Sequence, residues 1–242
     1  MGLHVETYSP EAALLLERHP EVASVALSGS GPIVAWQSPG WNRRIWVDQP
    51  SVPHSGLVEL CDNNPMVCAD EISIPGLEAT LALIGLGPLL SAVAPLADPV
   101  VIYSFAYSGK DLSPWLGTVG YQGGVTIAED VQDLGHVAAA VCMVEIPAPT
   151  DVAELDEIFE ERFGRSFYVR RTGPENWHVD AVIHRPFALY RLRYTPDERS
   201  GLVTIQVMLD RTGKGGAAQA IHAFNVMNGF EECLGIPETL TA

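Results

Sequence analysis

Residues 77–97 read LEATLALIGLGPLLSAVAPLA, an almost unbroken apolar run. A helix that is apolar on every side has no face to give to water, so it has to lie between layers of other structure. The run carries Glu78, Pro88 and Pro95 and has no flanking Lys or Arg. These features predict a buried helix followed by a Pro-rich turn, not a membrane span. The rest of the chain must therefore supply elements that cover this helix.

The composition allows it. Hydrophobic residues make up 47% of the 242 residues. Acidic residues number 30 against 14 Lys and Arg, a formal charge of −16. That balance argues against nucleic acid or an anionic membrane as partner, because phosphate surfaces reward cationic side chains. A small anion held in a local basic pocket stays compatible with it. The cysteines, Cys61, Cys68, Cys142 and Cys233, form no CxxC pair and no cluster at zinc spacing. Reduced thiols in a cytoplasmic protein without a bound metal are the expectation. The opening MGLHVETYS has no basic region followed by an apolar one, so no signal peptide is expected.

Helix signals begin at Ser9-Pro10-Glu11, a cap, a first-turn proline and a first-turn acid. His19-Pro20 stops that helix. Strands are predicted over 22–27, 33–36, 44–47 and 57–60, and a turn at Asn63-Asn64-Pro65 flanked by Asp62 and Asp70. A buried strand over 99–107 precedes a long ordered loop over 108–124. Thr126 with Glu129 three residues on predicts a capped helix over 126–134. Thr150 is the expected cap of a helix to Phe163. Strands are expected over 137–146, 167–171, 177–184, 188–194 and 202–209, and a last helix over 215–228 closed by Gly229. Trp36, Trp41 and Trp46 suit a core or a subunit interface.

Asp210-Arg-Thr-Gly-Lys214-Gly-Gly-Ala-Ala-Gln219-Ala-Ile-His-Ala-Phe-Asn225-Val-Met-Asn-Gly229 resembles, without gaps, the C-terminal signature of N-acetyl-gamma-glutamyl-phosphate reductases, a branch of the semialdehyde dehydrogenase family. Arg18-His-Pro-Glu-Val22 is similar to that family's R-H-P-E-V exit from its first helix. Ser73-Ile-Pro75-Gly76-Leu77-Glu-Ala-Thr80 is similar to S-N-P-G-C-Y-P-T, and Asp197-Glu-Arg-Ser-Gly201 to the family's last hairpin turn. The resemblance implies an α/β plus α+β architecture: a degenerate Rossmann-like part over 1–75, then a mostly antiparallel sheet domain over 76–242 for substrate and dimer contacts.

The departures bear on chemistry. The family's nucleophilic Cys falls on Leu77, which has no lone pair to attack with. Its H-R-H-T-P-E segment falls on Gln122-Gly-Gly-Val-Thr126-Ile-Ala-Glu129, which has no histidine. Its glycine-rich nucleotide loop falls on Leu3 to Ser9, which has no glycine and carries Glu6. The resemblance thus implies a truncated relative that has left cofactor-dependent redox chemistry, with no cofactor expected.

What remains points to an anion site of Lys214, Gly215 and Gly216 at a helix start, with Arg185 where the family keeps a substrate-side Arg. Glu78, next to the lost nucleophile, and His184 are the candidate acid–base residues, with His178 and His222 as further histidines on pocket-side elements. The expected activity is non-redox and acts on an N-acylated or carrier-protein-bound amino-acid derivative. Its form is an intramolecular C–N ring closure of aziridine type, expelling sulfate or phosphate, as in antibiotic biosynthesis clusters. The alternatives are a non-catalytic subunit completing a partner chain and an NADPH-dependent acyl-phosphate reductase with rewired catalysis. A homodimer, or a heterodimer with a second subunit, is expected.

Overall fold

The computed structural model describes residues 2–38, 40–61, 63–148 and 151–240. The chain opens with β1 (Leu3–Thr7), α1 (Pro10–Leu16) and β2 (Val22–Leu27). The cap is as expected: Ser9 Oγ accepts from Ala12 N at 3.1 Å, and Pro10 takes the first turn. Then come β3 (Val34–Ser38), β4 (Trp41–Val47), α2 (Asn63–Cys68) and β5 (Glu71–Ile74). They form a five-stranded sheet in the order β2-β1-β3-β4-β5. The β1–β2 and β4–β5 pairs are parallel, and β3 runs antiparallel to both its neighbours.

The apolar run is α3 (Leu77–Ala92), buried from Ala79 to Leu90. Close packing demands Gly85, since a Cβ there would sit 2.5 Å from Cys142 Sγ. The second sheet follows: β6 (Val100–Tyr103), α4 (Ser113–Gly117), β7 (Thr126–Glu129), β8 (Val137–Pro147), α5 (Ala153–Phe163), β9 (Val169–Arg171), β10 (Ala188–Pro196) and β11 (Ser200–Asp210). Its order is β7-β6-β8-β11-β10-β9. The three long strands are antiparallel, while β7 and β9 add to its edges in parallel. Helices α3 and α5 share one core with this sheet.

The last helix, α6 (Ala217–Asn228), does not pack with the sheet that precedes it. It returns to the first sheet, where Ala220, Ile221, Phe224 and Met227 join Val5, Leu16, Val34, Trp36 and Ile45 in a second core. The first layer is thus completed by residues from the far end of the chain.

Several expected elements change. Residues 126–134 form no helix: Thr126–Glu129 pair with Val100–Tyr103 as an edge strand. Available hydrogen bonds on β6, together with β-branched Thr126 and Ile127, outweigh the capping pattern. Residues 177–184 form no strand but a turn of 3-10 helix at Val179–Ala181. Val182 and Trp177 cover Val137, Leu189 and Met208 from outside the sheet instead of joining it. Residues 57–60 also form a 3-10 turn, Val58–Leu60, and Asn63-Asn64-Pro65 begins α2. Asp62 and the expected cap Thr150 lie outside the described residues; at the start of α5, Asp151 Oδ1 accepts from Ala153 N at 2.9 Å. Among the described residues, no helix is long and apolar enough to cross a membrane.

If α6 holds the first layer together, truncating its central aromatic should be severe. Phe224→Ala should cost about 3–5 kcal/mol, and Val131→Ala, at an exposed position, less than about 0.5 kcal/mol. Urea denaturation of the two variants measures the difference.

Candidate functional site

Three stretches that carried the family resemblance meet at α6. His19, from the R-H-P-E-V stretch, shares a 2.9 Å hydrogen bond between its Nε2 and Asn225 Oδ1. Asn225 Nδ2 donates to the carbonyls of Glu232 and Leu234 at 3.0 and 2.8 Å. Gln219 Nε2 donates to the Pro75 carbonyl at 2.8 Å, and Thr80 Oγ1 to the same oxygen at 3.2 Å. These residues build the junction rather than a reaction centre.

The start of α6 is closed. A Cβ on Gly215 would meet Leu77 Cδ1 at 2.7 Å and Leu209 Cδ1 at 2.8 Å, and one on Gly216 would meet the Arg211 carbonyl at 2.5 Å. Lys214 is fully buried and turns to Glu59, with Nζ 2.6 and 2.8 Å from the two carboxylate oxygens. The anion that answers this lysine belongs to the chain itself. Burial opposes ionisation of Glu59, but Lys214 and then His222 outweigh it and hold the carboxyl below its ordinary value. Burial likewise draws Lys214 down, against the pull of Glu59. The two short hydrogen bonds fit an ionised pair. Sequence reasoning missed Glu59 because its segment reads as a strand, and the 3-10 turn is what aims it inward.

Arg185 does not converge with Lys214. Its guanidinium donates to the Glu238 carbonyl at 3.1 Å and to Thr239 Oγ1 at 2.6 Å. His184 stands at φ +55°, with its N–H on Asp210 Oδ2 at 2.8 Å and its ring 5.5 Å from His136. Glu78 is elsewhere again, in the first turn of α3. The expected site residues therefore occupy three separate places.

Glu78 does have neighbours of interest. Its carboxylate accepts from Ser108 N and from Ser108 Oγ, both at 2.6 Å. Two residues on, Lys110 Nζ lies 2.6 Å from Asp48 Oδ2, while Asp48 Oδ1 accepts from Gly76 N at 2.7 Å. The hydrogen bond to Asp48 raises Lys110 above its ordinary value, and the charges of Asp48 and Glu78 add to it. Tyr8 is raised by burial and then by Asp48, and Tyr107 by burial, Glu78 and Asp111. Asp48 sits at φ +56°, a left-handed conformation costly for a residue with a Cβ. A Cβ at Gly76 would crowd the Asp48 carboxylate and make that side chain shift. Two carboxylates, a lysine and a hydroxyl thus gather at the amino end of α3, beside Leu77. Sequence reading found Glu78 and missed Asp48, whose only signal is an acid at a strand end before Gln49-Pro50.

The β1–α1 turn does not fit a dinucleotide pyrophosphate. Thr7 Oγ1 accepts from Ser9 N at 3.1 Å, and Ser9 Oγ caps the helix and donates to Glu11 at 2.8 Å. A carboxylate stands where the helix end would otherwise draw an anion. Among the described residues, no cluster of His, Cys, Asp and Glu has the arrangement to hold a metal. Of the thiols, Cys142 is buried and pushed up to about 12.

No family model matches the chain. Its sequence is 28% identical to an N-acetyl-gamma-glutamyl-phosphate reductase of Geotalea daltonii, across 88% of this chain and 69% of the relative. A reductase of the same name from Bacillus cereus is 33% identical across 36% of this chain and 25% of the relative. One from Halalkalibacterium halodurans is 50% identical over 42 residues, 17% of this chain and 12% of the relative. The crystal structure of aspartate semialdehyde dehydrogenase II from Vibrio cholerae, complexed with ASA, superposes with a TM-score of 0.61 at 13% identity. That match covers 94% of this chain and 98% of that one. The chain has a semialdehyde-dehydrogenase-like fold. Its sequence is similar to the reductases over most of its length.

The buried pair makes a sharp prediction. Lys214→Met alone should cost about 3–5 kcal/mol by leaving a buried carboxylate unpaired, and adding Glu59→Leu should recover much of the loss. The depressed Glu59 also gives a sign. Its contribution is complete above the ordinary carboxyl value of 4.5 and fades as pH falls through the lower folded value. Urea titrations between neutral and acid pH should show that loss in the parent and not in the double variant.

Proposed function

We propose that the chain is a non-redox enzyme, alone or as one subunit of a pair, that closes a C–N ring in an N-acylated or carrier-bound amino-acid derivative. The observation that carries this reading is the gathering of Asp48, Glu78, Ser108 and Lys110 at the amino end of α3, where Leu77 stands in the position of the family's nucleophile. A pair of carboxylates suits a protonated amine and can take its proton. A lysine beside them suits a departing oxyanion.

In the proposed step the substrate's amine nitrogen attacks the carbon that bears a sulfate or phosphate ester. The C–N bond forms as the C–O bond breaks, and the electron pair leaves with the oxyanion toward Lys110. The proton from nitrogen passes to Asp48 or Glu78. No electrons are transferred to a cofactor, so neither a thiol at position 77 nor a nucleotide loop is needed. Holding amine and leaving group in line supplies much of the rate. An aziridine is the ring formed when the two groups are vicinal. The reading places the enzyme in the cytoplasm, in an antibiotic-type pathway, as a homodimer or with a second subunit.

The test is incubation with an amino-acid derivative carrying a free amine next to a sulfate ester, reading sulfate release and ring formation by mass. Asp48→Asn and Glu78→Gln should each slow the reaction about 10²- to 10⁴-fold without changing the product. Turnover that requires a second chain would assign this one as a subunit. No sulfate release with or without such a chain would remove the proposal.

A further inference from the structure

An open cavity of about 760 Å³ lies next to the Lys214–Glu59 pair and uses none of the residues assigned above to ring closure. One side is an acid–base row. His222 Nδ1 is 3.7 Å from Glu59 Oε1, and His222 Nε2 is 2.9 Å from Glu232 Oε2. Arg162 and Arg165, at and just beyond the last turn of α5, also line the cavity.

Three features of this cavity are unspent. Both guanidiniums are exposed, and neither has a hydrogen-bond or ion-pair partner among the described residues. His222 is 1% exposed and lines the cavity, yet its Nδ1 has no hydrogen-bond partner among those residues. Buried ring nitrogens are rarely left so, because an unmade hydrogen bond in low dielectric is costly. Finally, Lys214 neutralises Glu59, so among the described residues the carboxylate left facing the cavity with charge to offer is Glu232, half-exposed and oriented by His222.

We propose that this cavity is a second ligand site, built for a small zwitterion. Arg162 and Arg165 hold the oxyanion of the ligand, and Glu232, held by His222 Nε2, takes its protonated amine. The charges explain the class: two unpaired cations alone would take any oxyanion, but a carboxylate in the same lining repels a simple anion and rewards one that also carries an ammonium. Glu59 and Lys214 serve this site from behind by fixing the charge next to His222.

The probes are glycine, β-alanine and 4-aminobutyrate, which share both charges at increasing separation, with acetate and methylamine as single-charge controls. The full chain is titrated with each while the His222 imidazole is followed by ¹H–¹⁵N NMR and binding by calorimetry. One of the amino acids should saturate and move the His222 signal, and neither control should. Arg162→Gln, Arg165→Gln and Glu232→Gln should each weaken that binding about tenfold. All three positions face solvent, so an unchanged thermal midpoint will show that the fold is intact. Acetate binding as tightly as the amino acids would reduce the site to an anion patch and overturn the proposal, as would a His222 signal that no probe moves.

Discussion

The architecture depends on burying one helix that is rich in polar side chains. Lys214, Gln219, His222, Asn225 and Asn228 all come from α6 or the turn before it, and the first four are buried. Each needs a partner, since a polar group taken from water without one forfeits its hydration for nothing. Several of the partners come from the first 75 residues: Glu59 from a 3-10 turn, the Pro75 carbonyl at the entry to α3, His19 at the exit of α1, and Trp36 of β3, whose indole N–H donates to Asn228 at 3.1 Å. Arg43 of β4 closes the end by donating to the Met227 and Val67 carbonyls. Once these are met, the two sheets are locked in place, because α6 follows the last strand of one and packs on the other.

That dependence gives a structural role to the stretches that resemble the reductases. The R-H-P-E-V stretch, the Pro75-Gly76 turn and the α6 signature are the three sides of one junction. They can persist for reasons of folding whatever chemistry the chain performs. Thr126–Glu129, by contrast, pair with β6 at the edge of the other sheet. A Leu at position 77 even profits from its place, resting against Gly215 where the helix ends meet.

The layered α/β plus α+β organisation was legible because periodicity and turn residues report local preference. The burial of α3, the Ser9 cap, the long strands β8, β10 and β11 and the Gly229 stop all follow from their own residues. Expectations failed where a segment could be satisfied in two ways. Thr126–Glu129 carries a capping pattern, but the free edge of β6 recruits it as a strand. Residues 177–184 alternate like a strand, yet their apolar side chains are worth more covering the outer face of the sheet. The candidate site was half legible. Glu78 could be found from its place after Gly76, but Asp48 and Glu59 are single acids in unremarkable segments, and neither has a pattern that periodicity detects.

The sequence by itself determined which segments must be buried, which positions cannot support thiol chemistry, and that a lysine precedes the last helix. Only the tertiary structure decided what that lysine faces. A charge at a helix start looks the same in sequence whether it awaits a ligand or is answered from within. The answer here is Glu59, 155 residues away along the chain. Electrostatic pairing acts through space, across a low-dielectric interior, and no local preference encodes it.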